Sequence, residues 1–149
     1  MQGLQRTIAI AEDDQDDRDL MRDAFAEGHH AHRLMFFHDG EELMDYLVRG
    51  AEKTRDPVQM PDMVLLDLNM PRLDGRQALV AIRSHPRLCQ LPVVVISTSR
   101  EAHDVLDAYQ RGANSFISKP SRFRQLVDAL SALDHFWFGI ANLPGPVVD

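Results

Sequence analysis

Cysteine is almost absent from this chain of 149 residues, and so are long apolar runs. The single Cys89 cannot form an internal disulfide, which is typical of proteins that work in a reducing cytosol. Apolar runs such as residues 91–96 are far too short to cross a bilayer, and the first residues lack the pattern of a secretory signal. The sequence therefore predicts a cytoplasmic protein without a membrane-spanning segment.

Positive charge is also scarce, because 16 Lys and Arg residues stand against 23 Asp and Glu residues, for a net charge of −7. Nucleic-acid phosphates need a basic surface, so this balance argues against direct binding to DNA or RNA. The acids are concentrated near the start, where seven of them lie between Glu12 and Asp23 against only two arginines. The length fits one domain with a core of its own.

Apolar runs alternate with helical patterns along the whole chain. The sequence predicts strands at 7–11, 33–38, 63–67, 93–97 and 115–118. Helices are predicted at 16–27, 41–49, about 75–84, 101–110 and 121–133, and a polar loop at 50–61. Five strand-then-helix units predict a doubly wound α/β fold, in which a parallel sheet carries helices on both faces.

An acid closes the most apolar of these strands, since Met63–Leu66 is followed at once by Asp67. A carboxylate at such a position loses hydration and must be paired, bind a metal or take part in chemistry. In parallel sheets the ligand binds beyond the carboxyl ends of the strands. At those ends the sequence also places Glu12, Asp13, Asp14, Ser97, Thr98 and Lys119.

These side chains suit one particular reaction. Clustered carboxylates raise each other's pKa unless a cation lies between them, and Mg²⁺ prefers a few carboxylates together with water and phosphate oxygens. Lys119 adds a second positive charge, and Ser97 adds a hydrogen-bond donor. We therefore predict that Asp67 receives a phosphoryl group, with Mg²⁺ neutralising the charge that develops.

In order, spacing and local sequence, these residues resemble the receiver domain of two-component response regulators. The resemblance extends from about Arg6 to Leu133, so we expect a receiver domain at 1–133, a tail at 134–149 and no output domain. It implies a flavodoxin-like sheet with the strand order 2-1-3-4-5. It also implies phosphoryl transfer from a histidine kinase and signalling through protein contacts. Such a protein is no enzyme beyond its own phosphorylation and slow autodephosphorylation.

The resemblance gives each residue at this edge of the sheet a role. Asp67 is the phosphoacceptor, and Lys119 and Ser97 stabilise the phosphoryl group. Mg²⁺ is held by Asp13, by Asp67, by the backbone carbonyl of Asn69 and, through a water molecule, by Glu12.

The resemblance also implies a switch and a signalling surface. Phosphorylation draws Ser97 toward the phosphate and lets the ring of Phe116 turn inward, which shifts the population between two packings. The signalling surface comprises the helix at 101–110, the fifth strand and the last helix. The Lys119–Pro120 bond is commonly cis in this family.

Three segments narrow the resemblance further: the polar insert at 50–61, "GANSFISKP" and "HFWFGIANLP". They resemble the small regulators that are paired with bacterial phytochrome histidine kinases. The implied partner is therefore a sensor histidine kinase of the phytochrome type.

Docking of that kinase is predicted on the first helix, because a donor histidine must come within reach of Asp67. Asp14, Asp17, Arg18 and Met21 are the candidate contacts. The alternative is that Asp14 caps the helix and that the other acids form its solvated face.

The tail contains three consecutive aromatic residues, Phe136, Trp137 and Phe138. On a helix they point in directions about 100° apart, so one apolar groove cannot hold all three rings. At least one ring should stay exposed or meet a partner, and exposed aromatic clusters often mark interfaces. We predict a homodimer built on the fifth strand, the last helix and this tail. The alternative is that the tail folds back over the last helix of its own chain.

Two other protein classes share parts of this pattern. Phosphatases of the haloacid dehalogenase type also use an aspartyl nucleophile, a hydroxyl, a lysine and Mg²⁺, but a second acid follows their nucleophile by two residues. Here Asn69 occupies that position, and the acidic pair comes first. A flavodoxin-like FMN carrier needs a hydroxyl- and glycine-rich loop after its first strand, whereas the acids at 12–17 would repel phosphate. The phosphatase remains the alternative interpretation.

A histidine-rich segment, His29-His30-Ala31-His32, has the composition of a metal site. No cysteine or carboxylate stands beside these histidines in the predicted loop. The sequence therefore predicts a solvated turn.

Overall fold

A computed structural model describes residues 5–52 and 58–144 of the chain. Five parallel strands form one sheet in the order β2-β1-β3-β4-β5, which confirms the predicted fold and strand order. The strands are β1 (Thr7–Ala11), β2 (Arg33–Phe37), β3 (Met63–Leu66), β4 (Val93–Ser97) and β5 (Ser115–Ser118). The helices are α1 (Gln15–Glu27), α2 (Gly40–Ala51), α3 (Gly75–Ser84), α4 (Ala102–Gln110) and α5 (Phe123–Asp134).

Both faces of the sheet are buried, which explains why the central strands are continuously apolar. In β1, Ile8 and Ile10 face the layer formed by α1 and α5, whereas Ala9 and Ala11 face the opposite layer. That opposite layer contains the buried sides of α2 and α3 and one residue of α4, Ala108. Within the described residues no helix is long and apolar enough to span a membrane.

Aspartates fix the starts of three helices. The side chains of Asp14, Asp39 and Asp74 each accept a hydrogen bond from the backbone N–H three residues further on. Such caps satisfy amides that the helix itself leaves free, and each stabilises its helix by about 1 kcal/mol. For Asp14 the alternative role, that of capping the first helix, is therefore confirmed.

Glycine at position 75 is required by close packing beside Asp67. A Cβ atom built there would lie 2.2 Å from the carbonyl oxygen of Asp67 and 2.6 Å from the Cα of Leu68. Both neighbours are backbone atoms and cannot move aside. Gly75 therefore lets the start of α3 pack directly against the segment that carries Asp67.

Most element ends lie within two residues of the predicted ones, and residues 53–57 of the predicted loop fall outside the described part of the chain. The Lys119–Pro120 bond is trans, so the expected cis bond is wrong. For an X–Pro pair the trans form is favoured by about 0.5–1 kcal/mol.

The tail continues α5 as one further helical segment, His135–Ile140, with π-type hydrogen bonding. We call this segment the tail helix. Trp137 and Phe138 pack against the α1–α5 layer, whereas Phe136 is 50% exposed and Ile140 is 62% exposed. The prediction that at least one ring stays exposed is confirmed. The tail also folds back over its own chain in part, because the other two rings are turned inward.

The histidine loop is not the solvated turn that the sequence predicts. His32 Nε2 is hydrogen-bonded to Asp134 Oδ1, and His30 Nδ1 lies 3.3 Å from Asp134 Oδ2. The backbone N–H of Arg6 donates to His32 Nδ1 at 3.1 Å, so in the neutral ring Nε2 carries the proton and donates to Asp134. The loop thus fastens the end of α5, where the tail helix begins. The prediction failed because the carboxylate comes from a distant part of the chain.

Candidate functional site

The register of the strands brings the predicted side chains together at one edge of the sheet. Ala11 of β1 pairs with Leu66 of β3, so Glu12 and Asp67 leave neighbouring strands side by side. Oxygen atoms of Glu12, Asp13 and Asp67 all lie within 4.8 Å of one another. Three carboxylates therefore converge in a space that one small cation could fill.

Lys119 arrives at the same edge from β5. Its Nζ donates to Glu12 Oε1 at 2.5 Å and to Asp17 Oδ2 at 3.1 Å. The ammonium forms no ion pair with Asp67 within 4.0 Å, although the charge of Asp67 still acts on it through space. The lysine is thus held by Glu12 and Asp17 and not by the predicted phosphoacceptor.

Burial makes the negative charges of this site unfavourable. It raises the pKa of Glu12 to about 7, although the hydrogen bond from Lys119 opposes the shift. Burial also raises the pKa of Asp67, and the charge of Lys119 offsets only part of that effect. For Lys119 itself burial disfavours the charge, but the hydrogen bonds and negative charges of Glu12, Asp67 and Asp17 together outweigh burial and raise the pKa of the ammonium. The site is therefore short of positive charge, and its oxygen donors fit a hard divalent cation.

The raised pKa of Glu12 predicts that metal affinity depends on pH near neutrality. A proton on Glu12 removes one of the charges that attract the cation, and the metal must displace it. Because the pKa lies at about 7, the metal-free site takes up this proton as the pH falls from about 8 to about 6. Mg²⁺ affinity should then fall about tenfold over that range, which calorimetric titrations would measure.

The control for this prediction is Glu12→Gln, which keeps the size of the side chain but cannot ionise. Its Mg²⁺ affinity should be lower than that of the wild type at about pH 8 and nearly independent of pH. An equally steep pH dependence in Glu12→Gln would assign the proton to Asp67, whose pKa is also raised.

The predicted switch residues lie beside this edge. Ser97 is fully buried at the end of β4, and its hydroxyl oxygen accepts a hydrogen bond from the backbone N–H of Ser99 at 3.2 Å. Phe116 is half-buried against the layer formed by α2 and α3, and its backbone N–H donates to the Tyr109 hydroxyl at 3.2 Å. Asn69 is exposed, and its backbone N–H lies 3.4 Å from Asp67 Oδ1.

A network of hydrogen-bonded side chains lies close to Ser97 and was not predicted from the sequence. Ser99 Oγ donates to Asp104 Oδ2 at 2.5 Å, and Arg76 Nη2 donates to Asp104 Oδ1 at 3.2 Å. These bonds connect the segment after β4 to the first turn of α4 and to α3. Ser99 was the one residue that could have indicated this network, because it lies two residues after Ser97, the predicted phosphate contact.

The residues predicted to dock a kinase have other partners in the structure. Asp14 caps α1, Asp17 contacts Lys119, and Arg18 Nη1 donates to the backbone carbonyl of Glu12 at 2.9 Å. Met21 is only 2% exposed, so its place on a docking surface is wrong. The helical period explains the error, because Met21 shares the inward face of α1 with Ala24 and Phe25.

Comparison with known proteins gives the same assignment as the geometry. The family described as response regulator receiver domain matches residues 8–131. Response regulator Rcp1 of Synechocystis sp. (strain PCC 6803) is 31% identical over 139 residues, which cover 93% of each chain. The crystal structure of its Mn²⁺-bound form superposes with a TM-score of 0.81 over 94% of this chain and 99% of that one.

Two further solved structures are similar over nearly the full length. Response regulator RPA3017, in red light signalling of R. palustris, is 36% identical with a TM-score of 0.86, over 94% of this chain and 99% of that chain. The phosphorylated cyanobacterial phytochrome response regulator RcpA is 35% identical with a TM-score of 0.83, over 95% and 100%. These matches imply a histidine kinase partner and do not favour the phosphatase interpretation. The chain belongs to the response regulator receiver domains, the phosphoaccepting modules of two-component signalling.

Proposed function

We propose that Asp67 accepts the phosphoryl group of a histidine kinase. The observation that carries the proposal is the convergence of Glu12, Asp13 and Asp67 within 4.8 Å beside the ammonium of Lys119. A carboxylate oxygen of Asp67 attacks the phosphorus, and the phosphorus–nitrogen bond of the donor phosphohistidine breaks. The histidine nitrogen keeps the electron pair, and Asp67 becomes an acyl phosphate.

The other residues of this edge bind and orient the phosphoryl group. Asp13 and Asp67, with the carbonyl of Asn69 and a water on Glu12, would hold Mg²⁺, which when bound neutralises charge on the transferring group. Lys119 donates a hydrogen bond to one phosphoryl oxygen, and the hydroxyl of Ser97 donates to another. Both donors must turn toward the phosphoryl group as it arrives, because before transfer Lys119 is bonded to Glu12 and Asp17, and the Ser97 hydroxyl contacts the backbone amide of Ser99.

The output is proposed to be a change of protein contacts on the face formed by α4, β5 and α5. Ser97 moves toward the phosphoryl group, and the ring of Phe116 turns inward to fill the space. The bond between the Phe116 amide and the Tyr109 hydroxyl supports this coupling, because it ties the switch to α4. Leu106 and Tyr109 of α4 are exposed there and could meet a partner.

Phosphoryl uptake from a small donor tests the function directly. The full chain is incubated with acetyl phosphate and Mg²⁺, and its intact mass is followed. The mass should increase by one phosphoryl group, and EDTA should prevent the increase because the carboxylates then face the donor without a cation. A chain that gains no mass with Mg²⁺ would contradict the proposal.

The donor kinase is proposed to be a bacterial phytochrome, and the similarity to RcpA and RPA3017 supports this choice of donor. The chain is proposed to act in the cytoplasm and to catalyse no reaction beyond its own phosphorylation and autodephosphorylation. Purified phytochrome kinase should transfer its phosphoryl group faster than an unrelated histidine kinase under the same conditions. Equal rates from both donors would remove the phytochrome assignment and leave the phosphoacceptor role intact.

Docking of the kinase is proposed on the exposed side of α1, close to Asp67. Leu20 is 44% exposed there and replaces Met21 as the apolar contact. Leu20→Ala should slow transfer from the kinase about fivefold, because truncating an interface leucine removes about 1 kcal/mol of contact energy. Uptake from acetyl phosphate should not change, since that donor needs no docking. If both rates fell together, Leu20 would affect the fold and not the docking.

The tail is proposed to form a homodimer with β5 and α5. Exposed Phe136 and Ile140 support the proposal, since both lie on the tail helix. Light scattering should report about twice the 16.9 kDa chain mass, and Phe136→Ser with Ile140→Ser should give the monomer because the apolar contact is lost.

The control for the dimer is Val80→Ser. Val80 is an exposed apolar residue of α3, away from the tail helix, and 41% of it is accessible. This variant should remain dimeric, with the same mass by light scattering as the wild type. A wild type that stays monomeric at high micromolar concentration, phosphorylated or not, would contradict the dimer.

A further inference from the structure

Asp17 contacts Lys119 and can therefore compete with a phosphoryl group on Asp67 for its ammonium. It lies in the first turn of α1, and its Oδ2 accepts a hydrogen bond from Lys119 Nζ at 3.1 Å. The Asp14 side chain accepts from the backbone N–H of Asp17 at 3.0 Å, so the helix cap fixes the backbone position from which Asp17 reaches Lys119. The Asp17 contact is therefore built into the start of the helix.

The hydrogen bonds of Lys119 explain why this contact matters. An ammonium has three N–H donors, and in this structure Glu12 and Asp17 accept from two of them. A phosphoryl group on Asp67 brings new anionic oxygens that form strong, charge-assisted bonds to an ammonium. The ammonium must then turn toward Asp67, with which it forms no ion pair here.

We propose that Asp17 is a positioning residue that holds Lys119 away from Asp67 before phosphorylation and releases it to the phosphoryl group afterwards. The proposal rests on the phosphoacceptor role of Asp67. Asp17 acts through Lys119 and touches no reacting atom. By stabilising the unphosphorylated arrangement, it weakens the binding of any phosphoryl-like group at Asp67.

When Lys119 turns toward the phosphoryl group, its hydrogen bond to Asp17 breaks and its hydrogen bond to Glu12 remains. The Glu12 side chain is 5% exposed, whereas that of Asp17 is 31% exposed. A buried carboxylate that loses its partner keeps an uncompensated charge, which is strongly unfavourable. A carboxylate near the surface regains water when the bond opens, so the exchange is easiest at Asp17.

The experiment compares Asp17→Asn with Asp16→Asn in the full chain. Both variants remove one negative charge from the same helical turn, but Asp16 is exposed and forms no ion pair with Lys119. Beryllofluoride with saturating Mg²⁺ serves as the phosphoryl mimic, and backbone amide shifts follow its binding. Asp17→Asn should lower the half-saturating concentration about fivefold, and Asp16→Asn should change it less than about twofold.

Two further measurements separate positioning from general effects. Mg²⁺ affinity without the mimic should be equal in the two Asn variants, because neither residue belongs to the acidic cluster of Glu12, Asp13 and Asp67. Asp17→Ala, which removes the acceptor completely, should tighten mimic binding at least as much as Asp17→Asn. Melting temperatures check that all variants are folded.

Each other outcome overturns the proposal. If Asp17→Asn and Asp16→Asn bind the mimic equally, Asp17 contributes only charge. If Asp17→Asn binds more weakly, Asp17 aims the lysine at the phosphoryl group and does not withhold it. A wild type that binds no mimic would overturn the phosphoacceptor role as well, and that result is distinguishable because it appears before any substitution is made.

Discussion

Replacing Asp67 with asparagine is expected to abolish uptake of the phosphoryl group from acetyl phosphate. The amide offers no anionic oxygen to attack phosphorus, and it removes one of the three carboxylates that converge at this edge of the sheet. The intact mass of Asp67→Asn should therefore stay unchanged under conditions in which the wild type gains one phosphoryl group. A gain of that size in the variant would place the phosphoacceptor elsewhere.

The matched control is Asp14→Asn at the same edge of the sheet. Asparagine caps helices as well as aspartate does, so α1 should keep its first turn. This variant should gain the phosphoryl group as the wild type does. If it fails as well, loss of acidic charge and not loss of the nucleophile would explain both results.

Asp67→Asn should also raise the thermal stability of the protein. Burial raises the pKa of Asp67, so at neutral pH its charged form is held against an unfavourable environment. A neutral amide of the same shape removes that penalty, and thermal unfolding of Asp67→Asn should occur at a higher temperature. An unfolding midpoint below that of the wild type would mean that the negative charge of Asp67 stabilises the folded protein through its attraction to Lys119.

Removing the carboxylate of Asp13 should weaken Mg²⁺ binding at least about tenfold. Mg²⁺ takes few direct carboxylates and retains several waters, so each direct ligand contributes a large share of the affinity. Asp13 is the exposed member of the cluster, and its Ala variant should leave the core unchanged. Calorimetric or NMR titration of Asp13→Ala measures the loss.

The comparison variant for Asp13 is Asp16→Ala, which removes an exposed acid from the following helix. It should change Mg²⁺ affinity less than about twofold, because charges near the surface are screened by salt and water. Unchanged affinity in Asp13→Ala would move the metal site onto Asp16 and Asp17.

The fold and the acidic cluster could be predicted because both depend on local patterns. Alternating apolar runs identify the strands, and the rule for parallel sheets then converts strand ends into neighbours, as it does for Glu12 and Asp67. The error at Met21 is also local, because a residue on the inward face of a short helix was assigned to its exposed face. The spacing of Met21, Ala24 and Phe25 supports only the inward position.

The contacts that could not be predicted join side chains far apart in the chain. Lys119 reaches Asp17 across 102 residues, and His32 reaches Asp134 across the same separation. Neither pair follows a strand register, so their approach depends on how α1, α5 and the loop before β2 pack in three dimensions. Charge and composition identify such residues as polar without indicating their partners.

The bond between His32 and Asp134 has a consequence for the order in which the chain folds. Closing a loop of that length is entropically unfavourable, so the contact forms after the shorter-range strand pairs have already brought the layers together. Trp137, the only tryptophan of the chain, lies three residues beyond Asp134 and packs against the finished α1–α5 layer. We therefore expect the emission of this indole to report the completion of folding, whereas backbone circular dichroism should report its earlier stages.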